Sequence, residues 1–234
     1  LMIKRKYMLD NIKSFIDKDI IKVLTGLRRS GKSVLLQQIR ELLVERGVNP
    51  GNILFYNFED LSYSHLLNAE ALHGEIKSKV TGMNGKPYLF FDEIQEVSEW
   101  EKCVNSFRVS FNADIYVTGS NARLLSGELA TLIAGRYVEI KVYPFSFSEF
   151  KELSEMFFPT DADNEIFRKY LLLGGMPFLG NLQLDSQSSF QYLSDVFDSV
   201  ILKDVIKRNK IRDIDLLGRI IHFVLANVGN TFSA

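Results

Sequence analysis

Gly26-Leu27-Arg28-Arg29-Ser30-Gly31-Lys32-Ser33 sets two glycines, a lysine and a hydroxyl at the spacing G-x-x-x-x-G-K-[ST]. That spacing serves capture of a polyphosphate. Successive backbone N–H groups can cradle a concentrated negative charge where no side chain intervenes, and Gly26 and Gly31 permit the backbone angles this requires. A helix opening directly after the loop adds the positive end of its dipole. Lys32 is expected to reach the β- and γ-phosphates of ATP, and the Ser33 hydroxyl to ligate Mg²⁺. Arg28 and Arg29 have two readings, contacts to phosphate or charges on an exposed loop.

Phe90-Phe91-Asp92-Glu93 ends an apolar run with two carboxylates. Beside a phosphate loop, Asp92 is expected to hold the metal and Glu93 to orient and deprotonate an attacking water. Thr118-Gly119-Ser120-Asn121-Ala122-Arg123 closes a later strand. Asn121 or Ser120 there could report the γ-phosphate, or cap the next helix. Gly135-Arg136 precedes the last strand. Arg136 is a candidate arginine finger for a neighbouring subunit, Arg123 a candidate acting in cis, and a structural ion pair is the alternative. Gly174-Gly175-Met176-Pro177 reads first as a helix stop, and also as a way to bring Pro177 against the adenine.

These residues need a sheet to place them. Strand-length apolar runs at 20–25, 52–58, 88–92, 114–118 and 137–142 alternate with helical patterns at 33–45, 69–79, 98–111 and 124–134. Ser98 and Glu101 have the spacing of a capping box, as do Ser146 and Glu149. Such alternation predicts an α/β fold with a parallel, helix-covered sheet, and ligands of such sheets bind at the carboxyl ends of the strands. After Pro144 only helices are expected, at 147–157, 164–173, 189–209 and 214–227. Residues 1–145 are therefore read as the core, 146–228 as a helical lid, and 229–234 as the start of a further region. Tyr143, Phe145, Phe147 and Phe150 are expected to dock the helical part on the sheet.

The formal net charge of −1 offers no whole-chain argument for nucleic acid or an anionic membrane. Only Lys203, Lys207, Arg208, Lys210 and Arg212, opposed by Asp204, form a basic segment that could meet DNA. The single cysteine, Cys103, excludes an internal disulfide and fits a cytoplasmic setting; it is expected to be buried. No run reaches the length needed to span a bilayer. His65, His73 and His222 lack metal-ligand spacing.

Taken together the motifs resemble the AAA-type P-loop ATPases of bacteria and archaea that are related to STAND and archaeal ATPases. The resemblance rests on the G-x-R-R-x-G-K-S loop at 26–33, Asp92-Glu93-Ile94-Gln95 followed by Trp100, Thr118–Asn121, the Gly135–Ile140 and Pro144–Phe150 runs, and Gly174–Pro177. It implies an ASCE/AAA-type sheet in the order 5-1-4-3-2 with a helical lid. It also implies a longer natural chain, continuing into a winged-helix segment and a nuclease-like domain. Members of the related group carry a Gly-Arg-Glu element before the loop; here only Arg5-Lys6-Tyr7 stands there, without the glycine. The function expected is Mg²⁺-dependent ATP hydrolysis, leaving ADP, that drives a switch or motor in an assembly of like subunits or with a protein or DNA partner. The alternatives are a DNA-associated ATPase and a nucleotide-holding scaffold with little turnover.

Overall fold

The structure, a computed structural model, describes residues 2–119, 135–200, 205–206 and 211–230. Five strands, β1 (Ile21–Thr25), β2 (Ile53–Asn57), β3 (Tyr88–Asp92), β4 (Asp114–Thr118) and β5 (Tyr137–Lys141), form one sheet. Every pairing is parallel and the order is β2-β3-β4-β1-β5. This is the expected 5-1-4-3-2 read from the other edge, the arrangement of a P-loop NTPase. All residues of β1, β3 and β4 are buried, because helices cover both faces of the central strands. The order puts β4 between β1 and β3. The carboxyl ends of these three strands, Thr25, Thr118 and Asp92, therefore stand in one row.

Alternate residues of each strand feed two cores. Ile21, Val23, Leu89, Phe91, Ile115 and Val117 pack with α3 (Ala69–Val80) and α4 (Trp100–Phe111). Leu24, Phe90 and Tyr116 pack on the other face with α1 (Lys6–Lys13) and α2 (Lys32–Glu45). Phe90 and Phe91 are both fully buried on opposite faces, each contributing about 1.5–3 kcal/mol by burial.

The short helix α1 is not anticipated by the sequence reading, although Met8, Leu9 and Ile12 lie buried on one of its faces. A second difference lies at α4. Ser98 does not cap it; the helix starts at Trp100 from Glu99, which has φ +57 and no side-chain cap. Ser98 is engaged elsewhere. Its N–H donates to the Leu67 carbonyl at 3.0 Å, its carbonyl accepts from Ala69, and it bridges to Asn68. The Ser146–Glu149 capping box is present and opens α5 (Phe147–Glu155). Helix α6 (Asp163–Leu173) stops at Gly174, which has φ +69. Phe147 and Phe150 both pack against Tyr170 of α6, and Tyr143 is exposed.

The chain divides into two compact units, Leu1–Ser186 and Gln187–Ala234. The first holds the sheet, α5 and α6. Described helices of the second are α7, which starts at the boundary (Ser186–Val200), and α8 (Ile214–Ala226), capped by the Asp213 side chain on the Leu216 N–H. No helix among the described residues is long and apolar enough to cross a membrane.

Candidate functional site

The loop between β1 and α2 takes its path because side chains are excluded from it. A Cβ on Gly26 would lie 2.2 Å from the Val142 carbonyl oxygen, so only glycine lets the turn pass this close to the end of β5. Gly31 caps α2 with φ +96. Leu27 and Arg29 are exposed, Arg28 is half-buried, and Ser30 is buried. Lys32 is 5% exposed. Its ammonium donates to the carbonyls of Gly26 at 3.3 Å and Leu27 at 3.2 Å, and stands 3.9 Å from the Glu93 carboxylate. Stem and charge are thus both largely buried, with the ammonium between the loop carbonyls and the acidic pair.

Asp92 ends β3 and is 2% exposed. It accepts a hydrogen bond from the Thr118 hydroxyl, and the Ser33 hydroxyl also favours its charged form. Burial pushes its carboxyl above the usual carboxylate range, and adjacent Glu93 pushes the same way. The two hydroxyls and Lys32 act in the opposite sense. Glu93 follows in the left-handed region, φ +53, an unfavourable place for a residue with a side chain. Two neighbours hold it there. Its N–H donates to the Thr118 hydroxyl at 3.0 Å, and the Gln95 amide donates to its carboxylate at 2.6 Å. Lys32, Ser33, Asp92 and Glu93, read from two separate motifs, therefore converge at the carboxyl edge of the sheet.

Pro177 also meets the loop. A Cβ built on Gly31 would lie 3.5 Å from the Pro177 Cγ. The preceding Gly175 approaches so closely that its Cβ would fall 2.1 Å from the Phe145 carbonyl oxygen, and the Phe145 N–H donates to the Gly175 carbonyl at 2.6 Å. The Gly-Gly-Met-Pro segment is thereby seated on the chain that leaves β5.

Arg136 is not brought to the loop of its own chain. Its carbonyl accepts from the N–H of Ile21 at the start of β1, and its guanidinium donates to Asn105. It therefore lies at the amino edge of the sheet, a strand length of about 16 Å from the carboxyl edge. Ser120, Asn121, Arg123, the helix expected at 124–134, and the basic residues Lys203, Lys207, Arg208 and Lys210 lie outside the described residues.

Three residues at this edge enter the sequence motifs without a role for their side chains: Arg5, Gln95 and Thr118. Arg5 is 3% exposed and reaches the Ser30 carbonyl. A buried guanidinium is rarely accidental, but its partners are distant in the chain. A hydroxyl ending a strand beside the acidic pair was the available signal for Thr118.

The donor set suits Mg²⁺ shared with a phosphate. One carboxylate and one hydroxyl, Asp92 and Ser33, offer the few protein oxygens such a cation takes when nucleotide oxygens supply the rest. Among the described residues no group of three His, Cys, Asp or Glu side chains could hold a metal alone.

A five-stranded parallel sheet with a glycine loop and an acidic pair at its carboxyl edge defines the P-loop, AAA-type class. Residues 18–151 match the sequence model of a family described as an AAA domain, and residues 164–234 match that of a domain of unknown function. The first match covers more than half of the chain, and the chain belongs to that AAA-domain family. An uncharacterized protein of Haemophilus influenzae is 43% identical over 228 residues, which are 97% of this chain and 56% of that protein. An uncharacterized protein of Methanocaldococcus jannaschii is 31% identical over 218 residues, 89% of this chain and 46% of that protein. The chain thus spans about half the length of the curated relatives it matches. Among solved structures it resembles a Walker-type ATPase of Pyrococcus abyssi, with TM-score 0.60 and 19% identity over 89% of this chain and 76% of that one. It also resembles a STAND protein with a tetratricopeptide repeat sensor from Pyrococcus horikoshii, with TM-score 0.52 and 16% identity over 83% of this chain and 32% of that one. At these identities the likeness is one of fold.

Proposed function

We propose that this chain is an ATPase module that binds ATP with Mg²⁺ and hydrolyses the γ-phosphate, acting as a cytoplasmic switch or motor. The observation that carries this reading is the meeting of Lys32, Ser33, Asp92 and Glu93 at one sheet edge. The backbone amides of residues 26–33 bind the phosphates and Lys32 leaves its loop carbonyls for the β- and γ-oxygens. Ser33 and Asp92 would hold Mg²⁺, which would neutralise phosphate charge as the reaction proceeds. Glu93 accepts a proton from the attacking water as it adds to the γ-phosphorus, and the bond from that phosphorus to the β–γ bridging oxygen breaks, releasing ADP and phosphate. Pro177, against Gly31, forms a wall for the base.

Arg136 acts in trans on this reading. It lies at the edge away from its own phosphate loop, so an assembly of like subunits would carry it to a neighbour's γ-phosphate, with Asn121 sensing that phosphate in cis.

Phosphate release by the full-length protein tests the reading. Glu93→Gln should retain ATP binding and lose turnover, while Lys32→Ala should lose binding. Wild-type turnover in the Glu93→Gln protein would remove Glu93 from its role, and a wild type that binds ATP without releasing phosphate would favour a nucleotide-holding scaffold.

A further inference from the structure

Arg5 is the point where four segments of the first unit are tied together. Its backbone N–H donates to the Gln38 side chain on α2 at 3.0 Å, and Gln38 in turn donates to the Ile3 carbonyl at 2.7 Å. Its Nε donates to Glu149 of α5 at 2.7 Å, Nη1 to the Ser30 carbonyl at 3.3 Å, and Nη2 to the Tyr143 carbonyl at 3.0 Å. The guanidinium carbon stands 5.2 Å from the centre of the Phe145 ring. Three nitrogens of one planar group thus reach the phosphate loop, the segment leaving β5 and the first turn of α5. A lysine has a single nitrogen and cannot span all three acceptors.

The Ser30 contact bears on chemistry because of peptide geometry. The described chain contains no cis peptide bond, and in a trans peptide the carbonyl and the following N–H point in opposite directions. Holding the Ser30 oxygen on Arg5 turns the Gly31 N–H away from Arg5. That amide lies in the phosphate loop, one residue before Lys32. Gly31 has no side chain to bias its plane, and at φ +96 it uses a conformation that glycine reaches freely, so the contacts of its neighbours decide which way its peptide faces.

The Glu149 contact joins that plane to the helical segment. One Glu149 oxygen binds Arg5; the other accepts from the N–H and hydroxyl of Ser146, closing the capping box of α5. A single carboxylate therefore starts α5 and anchors the arginine that orients the loop.

We propose that Arg5 is a positioning residue for nucleotide binding: it fixes the Ser30–Gly31 peptide so that the Gly31 amide faces the phosphates, and through Glu149 it couples that amide to the start of α5. This rests on the reading of 26–33 as an ATP site. Arg5 touches no substrate. Because coupling is reciprocal, a nucleotide that tightens the loop also strengthens the Arg5–Glu149 pair and steadies the first turn of α5.

The test uses the full-length protein, a fluorescent ATP analogue with Mg²⁺, and Arg5→Met, Arg5→Lys, Glu149→Gln and the Arg5→Met/Glu149→Gln double variant. Each is measured well below its own melting temperature, with folding checked by circular dichroism. The expected result is a Kd raised between about 5- and 150-fold in both Arg5 variants, a smaller rise in Glu149→Gln, and a double variant no weaker than Arg5→Met alone. A role confined to holding the fold would lower the melting temperature and leave the Kd of the folded protein unchanged, and that outcome overturns the proposal. If Arg5→Met does not fold, the folded Glu149→Gln and Arg5→Lys proteins decide by the same measure. Wild-type protein that binds no ATP defeats the parent reading instead, so the two failures are told apart.

Discussion

Thr118 and Asp92 end neighbouring strands with hydroxyl against carboxylate, and the same hydroxyl accepts the N–H of Glu93 at 3.0 Å. One side chain of β4 thus orients the residue proposed to hold the metal and fixes the backbone of the residue proposed to activate water. The arrangement depends on strand order. Only a β4 inserted between β1 and β3 can offer its last residue to the acidic pair.

Thr118→Val keeps the shape and removes the hydroxyl. Asp92 loses a donor and the Glu93 N–H loses its acceptor, while the left-handed backbone at Glu93 remains. Leaving such groups unpaired costs about 1–3 kcal/mol, and a lost orienting partner at a metal site costs roughly 10–100-fold in activity. Denaturant melts and phosphate release should show both losses, and Thr118→Ser should restore most of each. A valine variant with full turnover would show that Thr118 is only a packing residue.

Asp92 carries a cost that nucleotide binding would offset. Burial raises its carboxyl above the ordinary value, so the folded protein keeps that proton to higher pH than the unfolded chain does. Below the unfolded value, about pH 4, both states are protonated and Asp92 costs nothing. As pH rises through the raised value the folded state must ionise a desolvated group, and stability is lost. Asp92→Asn should therefore stabilise the nucleotide-free protein at neutral pH by about 0.5–2 kcal/mol, or about 2–4 °C per kcal/mol, with the advantage shrinking toward pH 4. The same change should abolish the melting-temperature rise caused by ATP with Mg²⁺. A variant less stable than wild type at pH 7 would contradict this account.

Much of the fold could be read from the chain because the informative signals are local. The run Tyr88–Phe91 is apolar throughout because helices cover both faces, and that coverage prints itself into four consecutive residues. The phosphate loop and acidic pair are equally local, since chemistry at each demands adjacent groups. What escaped was set by distant partners. Arg5 meets acceptors 25, 138 and 144 residues away, and nothing beside it in the chain marks its role. Ser98 has the spacing of a cap, yet its backbone is spent on Leu67 and Ala69 before α4 begins. Tertiary pairing there overrides a correct local rule.

Cys103 offers a reading of how often the sheet's helical cover opens. The thiol is 3% exposed, donates to the Ala69 carbonyl of α3, and is pushed up to about 12 by burial. At pH 8 its reactive thiolate fraction is lower than that of an ordinary cysteine by on the order of a thousandfold. Alkylation of the native protein should be slower than that of the denatured chain by at least this factor, and since this is the single cysteine, mass spectrometry reads it without ambiguity. Rapid labelling of the native protein would mean that α3 and α4 part readily.

The amino edge of β1 holds a buried ion pair whose consequences should be separable from function. Lys22 and Asp114 are both fully buried and hydrogen-bonded to each other, and Asp114 also accepts from the Tyr116 hydroxyl and the Asp17 N–H. Burial pulls the Lys22 ammonium below its ordinary value, and Asp114 works against that pull. Removing one partner strands the other: Lys22→Met should cost about 3–5 kcal/mol. Lys22→Met with Asp114→Asn should cost less than the sum of the singles, since no unpaired charge remains. Both residues lie at the opposite ends of β1 and β4 from Thr25 and Thr118. Once folded, the variants should therefore bind ATP with unchanged affinity, measurable by titration at low temperature. A shifted Kd in the folded Lys22→Met protein would mean that this pair sets the position of β1, and with it the phosphate loop, rather than its stability alone.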